Sequence, residues 1–431
     1  MNRVAPVVTM LLACASSATA QSLNERVARA PEGPVQFSFA ARPGVCGNGR
    51  TFIQVSPNSY VGNVYVGSDG ASAESCVAGP VRVVIDRAGR IIVAVQAYVG
   101  PDDPATSATS ATSATNLGRV RGQDAAIYLL SLATSVDGRA GRDAILPAAL
   151  ADSANVGDKL LAIARDHAVP RETRRAALTW VGRALGGVSN APSSVTSQLL
   201  SLASDDSDNL QVRQAALGVL SRLEHGAGIP TLIDLSRQSP SVWLQKEATL
   251  ALARSGDPRA RESLRTLARR SDVAEDVLVT ALRSLGQEYA TAQDAALLRE
   301  LYPRLTSDRA RETALSTLAE IGGSENTRWL LQIAASGDES LANRRRAVDA
   351  ASRAGASISD LVKLYDTTTD PQMKDALVGI YLRSGEPAGV DKVLAIVKSE
   401  GDSGARRRVI SRLSQSDDPR IKRALEELVA R

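Results

Sequence analysis

The side chains that most often carry out chemistry are scarce in this sequence and poorly placed for it. His167 and His225 are its two histidines, and neither has a second ligand type at metal-binding spacing. His167 precedes Pro170 in a turn context, and His225 sits in Glu224-His225-Gly226. Both read as surface residues. No nucleophile–histidine–acid order, phosphate loop or His-Glu-x-x-His pattern occurs. The paired acids Asp205-Asp206, Asp417-Asp418 and Glu426-Glu427 fall at turns or on an outer helix face. Without a closed pocket to shift their titration they read as solvating charges. Aromatic residues make up 3% of the chain, too few for a base-stacking surface or an aromatic-lined pocket. The expectation is a protein with no catalytic, cofactor-binding or metal-ligating residues.

Arginine is the more informative residue. Arg344-Arg345-Arg346 and Arg406-Arg407-Arg408 form triplets, and Arg174-Arg175 a pair. One member of each cluster falls on a regular frame and reads as structural. The flanking Arg345, Arg346, Arg406 and Arg408 are extra, and are candidates to meet an acidic protein segment or a carboxylate-rich polymer. The competing expectation for them is a plain solvated face. A nucleic-acid partner is not expected, because 51 basic side chains are balanced by 47 acidic ones, mixed along the chain.

The elements that position these residues begin after a targeting segment. Met1–Ala20 has a basic start at Arg3, an apolar run Val4–Ala13 and a small-x-small site at Ala18-Thr19-Ala20, the pattern of an export signal. Leu11-Leu12-Ala13-Cys14 also resembles a lipobox, so a lipoprotein anchored through Cys14 is the alternative. No later run reaches the length of a membrane span. Residues 21–100 read as a small β-rich unit. Val35, Phe37 and Phe39 alternate with polar residues, and two β-rich stretches flank the glycine turn Asp86–Arg90. In an oxidising compartment Cys46 and Cys76 are expected to pair, which the chain-entropy account values at about 3–4 kcal/mol. Residues 101–116, where Ala-Thr-Ser recurs, read as a linker.

From 117 to 431 the chain repeats. Asp257-Pro258-Arg259 recurs as Asp418-Pro419-Arg420, each followed by the same leucine spacing, and Asp-Pro is a strong helix start. Arg142, Arg175, Arg213, Arg311, Arg344, Lys374 and Arg407 recur at intervals of 30 to 38 residues once Gln245 and Glu275 fill two places. Three residues beyond each frame position the residue is apolar, and glycine often follows eleven beyond. Each unit is therefore a helix pair with a buried stripe. Such pairs bury their apolar faces only by stacking.

The array resembles HEAT repeats of the short bacterial type, carried by Asp208-Asn209-Leu210-Gln211-Val212-Arg213, Asp308-Arg309-Ala310-Arg311 and Asp370-Pro371-Gln372-Met373-Lys374. The resemblance implies a mainly α, HEAT-like superhelix of about nine helix pairs behind the β-rich unit. It also implies that a turn aspartate and the frame's basic residue form a ladder between neighbouring repeats, interrupted at Gln245 and Glu275. It transfers no activity. The functional expectation is a non-catalytic protein-binding scaffold or adaptor of the cell envelope, exported and without cofactor. The alternative is an accessory subunit of an envelope enzyme, with a ligand site in the β unit.

Overall fold

The computed structural model describes residues 21–47, 77–101, 114–185, 193–384 and 386–399, with the short pieces 49, 54–55, 60–61, 65–66, 409–411, 413 and 420–423. The export pattern with Cys14, most of the expected linker, Cys76, and Arg406, Arg407 and Arg408 lie outside these residues. The chain divides into two compact units, 1–187 with 207–215, and 188–206 with 216–431.

In the first unit, the alternation read at Val35–Phe39 becomes strand β1, which buries Val35, Phe37 and Phe39. Short strands follow: β2 Val45–Gly47, β3 Gln54–Val55, β4 Tyr60–Val61, β5 Tyr65–Val66 and β6 Val77–Ala78. Two long strands, β7 Val81–Ala88 and β8 Ile91–Val99, then form a hairpin around Gly89-Arg90. The turn is tighter than the five residues expected, because Gly89 at φ +62° reverses the chain at once. The main sheet has the order β8-β7-β1-β9, where β9 is Thr115–Arg119.

Strand β9 falls across the expected boundary between linker and array. It lies parallel to β1, held by Thr115 N–H to Pro34 O (2.8 Å) and followed by Val120 N–H to Ser38 O (2.8 Å). Apart from half-buried Leu117 it carries no apolar side chain, so the strand exists chiefly through backbone pairing and leaves no hydrophobic alternation in the sequence. Helix α1, Leu23–Arg29, buries Leu23 and Val27. The Arg87 guanidinium ties it to β7, donating to Val27 O at 2.7 Å and Gly33 O at 3.1 Å.

The expected Cys46–Cys76 bridge has one end, Cys46 on β2, among the described residues. Cys76 lies outside the described residues, which leaves Cys46 on β2 as their sole cysteine. The described core is held by packing across the sheet. Phe37 meets the Tyr128 ring edge-on at 6.2 Å, and burial pushes the Tyr128 hydroxyl up to about 12.

Tyr128 belongs to α2, Gly122–Ser135, the opening helix of the array. Its partner is broken into α3, Gly138–Asp143, and α4, Ile145–Leu150. Pro147 explains the break: it has no N–H for the Asp143 carbonyl, and its ring crowds that carbonyl. Regular pairing then begins with α5, Gly157–Arg165, and α6, Arg171–Leu185. Helix α7 is Ser193–Ser204, and α8, Leu210–Leu220, crosses the division between the units.

The second unit stacks α9 Ile229–Gln238 with α10 Val242–Ala253, and α11 Pro258–Arg269 with α12 Glu275–Ser284. Next come α13 Ala292–Leu301 with α14 Asp308–Ile321, and α15 Ser324–Ala335 with α16 Leu341–Arg353. Helices α17 Ile358–Thr367, α18 Pro371–Ser384 and α19 Pro387–Ser399 follow.

The helix starts follow from local chemistry. Asp257 Oδ1 accepts the Arg259 N–H at 2.8 Å to cap α11, and Asp370 Oδ1 accepts the Gln372 N–H at 2.8 Å to cap α18. The recurrence at Asp418-Pro419 lies outside the described residues. Gly322, at φ +68°, ends α14 with its N–H on Leu318 O.

The repeat frame is sharper in the structure than in the sequence. The fourth residue of the second helix in each regular pair is Arg174, Arg213, Gln245, Leu278, Arg311, Arg344 or Lys374. Three residues later come Ala177, Ala216, Ala248, Ala281, Ala314, Ala347 and Leu377, all fully buried. The frame read from sequence is thus one residue late at Arg175 and three early at Glu275. Leu278, taken there as a buried position, is half-buried, and Ala281 occupies the contact. Alanine at that place lets neighbouring helices approach closely.

Candidate functional site

Most of the frame's basic residues turn inward to their own helix pair. Arg344 Nε donates to Ala334 O at 3.0 Å, and Arg174 Nε donates to Ala164 O at 2.8 Å. Both carbonyls end the first helix of the pair, where helical partners have run out. Arg311 Nε captures Leu305 O at 2.8 Å, and Gln245 Nε2 captures Ser239 O at 2.9 Å, each six residues back. Gln245 therefore fills the position that sequence marked as an interruption. Lys374 places its ammonium 5.2 Å from the Tyr365 ring centre. Arg213 is buried, and Arg142 pairs with the adjacent Asp143 at 2.9 Å. Arg175 reaches Glu172 and Gln211 at 3.2 and 3.1 Å.

Among the described residues, two buried ion-paired joints link one pair to the next. In the first unit both Asp208 oxygens accept from Arg174, with Nη1 to Oδ1 at 2.7 Å. Burial would push the Asp208 carboxyl up, but Arg174, the Asn209 N–H and nearby His167 together hold it below the usual carboxylate range. His167 is half exposed, 3.8 Å from an oxygen that Arg174 already holds.

In the second unit Asp294 is completely buried and takes two arginines, Arg261 at 2.8 and 3.0 Å and Arg265 at 2.8 Å. The Thr291 N–H and hydroxyl complete its shell at 2.8 and 2.7 Å. Burial opposes its ionisation, yet Arg265, Arg261 and Thr291 hold its titration below the ordinary range. This joint lies on first helices and escaped the sequence frame. The available signals were the Thr291-x-x-Asp294 capping box and the arginines one turn apart on α11.

A third set of charges faces solvent along the second helices. Lys246 on α10 and Arg309 on α14 both pair with Asp276 on α12, at 3.4 and 2.5 Å. Glu312 on α14 meets Arg346 on α16 at 3.1 Å, and Asp349 on α16 meets Arg383 on α18 at 3.1 Å. Arg309 and Lys246 hold the Asp276 carboxyl below its ordinary range, and Asp276 raises Arg309. Successive second helices thus present an exposed ladder of alternating charge.

The candidate contact residues divide on this face. Arg346 is spoken for by Glu312 and by Asn343 Oδ1 at 3.2 Å. Arg345 is exposed and makes no hydrogen bond or ion pair among the described residues. Arg406 and Arg408 lie outside them, as does the frame residue Arg407. Among the described residues, no helix is long and apolar enough to cross a membrane. The arrangement offers a ruled polar surface.

A family model described as HEAT repeats matches residues 229–319, which run from the start of α9 to near the end of α14. No curated protein matches the chain. Among solved structures, human deoxyhypusine hydroxylase in complex with glycerol is 18% identical, covering 60% of this chain and 94% of its own at a TM-score of 0.26. The Escherichia coli protein YibA is 13% identical, covering 67% and 97%, at 0.35. The complex of CpcE and CpcF of phycocyanin lyase from Nostoc sp. PCC7120 is 17% identical, covering 59% and 92%, at 0.27. Scores this low assign nothing to this chain. The family match and the register of α9 to α14 agree on one point: residues 229–319 of this chain carry HEAT repeats.

Proposed function

We propose that the protein is a helical-repeat scaffold of the cell envelope, holding another protein along the exposed face of its second helices. The observation that supports this most directly is the regular solvent-facing charge ladder from α10 to α18, laid on a segment that matches HEAT repeats. A surface of alternating charge selects its partner by complementarity and speeds encounter more than it adds raw affinity. Arg345, exposed beside Arg346, is the side chain on this face with most to gain from a partner carboxylate. The envelope reading rests on the sequence pattern of Met1–Ala20, and an acidic partner segment is the finer form of the proposal.

The test is a pair of photo-crosslinkable residues in the full chain expressed in its native host. One replaces Arg345 on second helix α16, and the other replaces Arg328, exposed on first helix α15. The expected result is a discrete adduct from position 345, weakened by salt, and none from 328. Equal labelling from both positions would remove the second-helix face as the binding surface. Fractionation of the same cells tests export, and recovery in the cytoplasm alone would overturn the envelope assignment.

A further inference from the structure

The buried joint at Asp294 has one positive charge too many. Two guanidiniums, Arg261 and Arg265, converge on one fully buried carboxylate, and each arginine is nine-tenths buried. Glu262 also touches Arg265, at 3.1 Å, but it is mostly exposed, and water screens what it offers. A buried charge without full compensation is costly, so the joint favours a second anion.

The joint also has a vacancy to put one in. A cleft of about 260 Å³ opens here, with Arg261, Arg265 and Thr291 in its lining beside Leu252 and Leu264. The donor inventory leaves hydrogens to spare. Arg261 Nη1 gives one to Ser284 O at 3.2 Å and keeps a second. Arg265 Nη1 gives one to Glu262 and Nη2 one to Thr291 Oγ1 at 3.2 Å, and each keeps another.

The rim is arranged to admit a ligand rather than to supply one. Asp257 lines the cleft, but Arg259 already holds its carboxylate at 2.7 and 3.1 Å. Tyr289, nearly half exposed, covers Gly256, and a Cβ on that glycine would meet its ring at 3.2 Å.

We propose that this cleft is a carboxylate-binding site, in which Arg261 and Arg265 hold the anion and Leu252 and Leu264 contact its short apolar part. A carboxylate suits the site because it is a planar monoanion that matches a guanidinium edge and a single excess charge. The volume is below the usual range for drug-sized ligands, about 300–1,000 Å³, so the ligand is a small acid or one residue of a chain. The site is separate from the charge ladder and does not depend on it.

Isothermal titration of the full chain at low ionic strength tests the proposal. The probes are butyrate, neutral butyramide, inorganic phosphate, and the tripeptide Ala-Ala-Leu as free acid and as amide. The expected result is saturable binding of butyrate or the tripeptide acid, and none of butyramide or the tripeptide amide. Preference for butyrate identifies a free small acid, and preference for the tripeptide acid identifies a chain terminus; both support the site. Arg265→Gln should weaken binding by at least about tenfold, as loss of a charge-assisted bond does. Because that change also disturbs Asp294, Tyr289→Glu is the second variant: it places a negative charge at the exposed rim and should weaken binding without lowering Tm. Absence of saturable binding by either acid, tighter binding of phosphate than of both, or unchanged affinity in folded Tyr289→Glu would each overturn the assignment.

Discussion

The joint at Asp294 and the ladder at Asp276 use the same chemistry in opposite surroundings. Each is one aspartate held by two basic side chains from outside its own helix, Asp294 by two arginines of α11 and Asp276 by Lys246 of α10 and Arg309 of α14. Asp294 is completely buried, and its oxygens are fully occupied by two guanidiniums and a capping threonine. Asp276 stands in water, and its partners compete with solvent and salt. Burial therefore decides what an arginine does in this protein. Where water is excluded, charge fixes how one helix pair meets the next. Where water is present, the same charges are free to be re-paired by a partner.

The largest effect should follow from breaking the buried side of the comparison. Asp294→Ala leaves Arg261 and Arg265 without their buried counter-charge, and should lower stability by about 3–5 kcal/mol. Urea unfolding followed by helical signal measures this. A loss under about 1 kcal/mol would show that the joint does not hold the stack.

Acid should act through the same groups. Asp294 and Asp208 both titrate below their ordinary range in the folded chain. Their contribution to stability is therefore complete above the unfolded carboxylate value of about 4 and is lost as pH falls through the lower, folded values. Urea midpoints measured from pH 7 to pH 2 should drop mainly below about pH 4, and the drop should be smaller in Asp294→Ala. An identical acid profile in that variant would mean that other carboxylates govern the transition.

Why one side of this comparison was legible in sequence and the other was not has a physical basis. The helix-pair repeat was readable because Asp-Pro starts, apolar stripes and alanines are local and periodic. The frame slipped at Arg175 and Glu275 because loops differ in length, and only packing shows that Ala177 and Ala281 are the true contacts. Gln245 looked like a gap in the ladder because sequence marks charge, whereas the position works by donating to a carbonyl. Arg261, Arg265 and Asp294 escaped because they lie in first helices, out of phase with the repeat that was followed. Strand β9 escaped because its pairing with β1 is made by backbone groups and Leu117 is its one apolar side chain.

A smaller contrast separates two adjacent arginines. Arg344→Ala removes a donor from the Ala334 carbonyl and should cost about 1 kcal/mol. Arg345→Ala removes no hydrogen bond or ion pair among the described residues and should stay within about 0.5 kcal/mol. Equal losses would mean that the inward and outward positions on α16 are not distinguished by what they touch.

The most direct test of the account reverses charge on the exposed face alone, with Arg346→Glu and Arg383→Glu combined in the full chain that carries the crosslinkable residue at position 345. Thermal unfolding and recovery of the partner crosslinked through position 345 are measured on the same preparation. The account predicts that Tm stays within about 2–4 °C of the parent, the shift that 1 kcal/mol produces in a domain of 150–250 residues, while partner recovery collapses. Recovery at the parent level at low salt, with Tm unchanged, would contradict it.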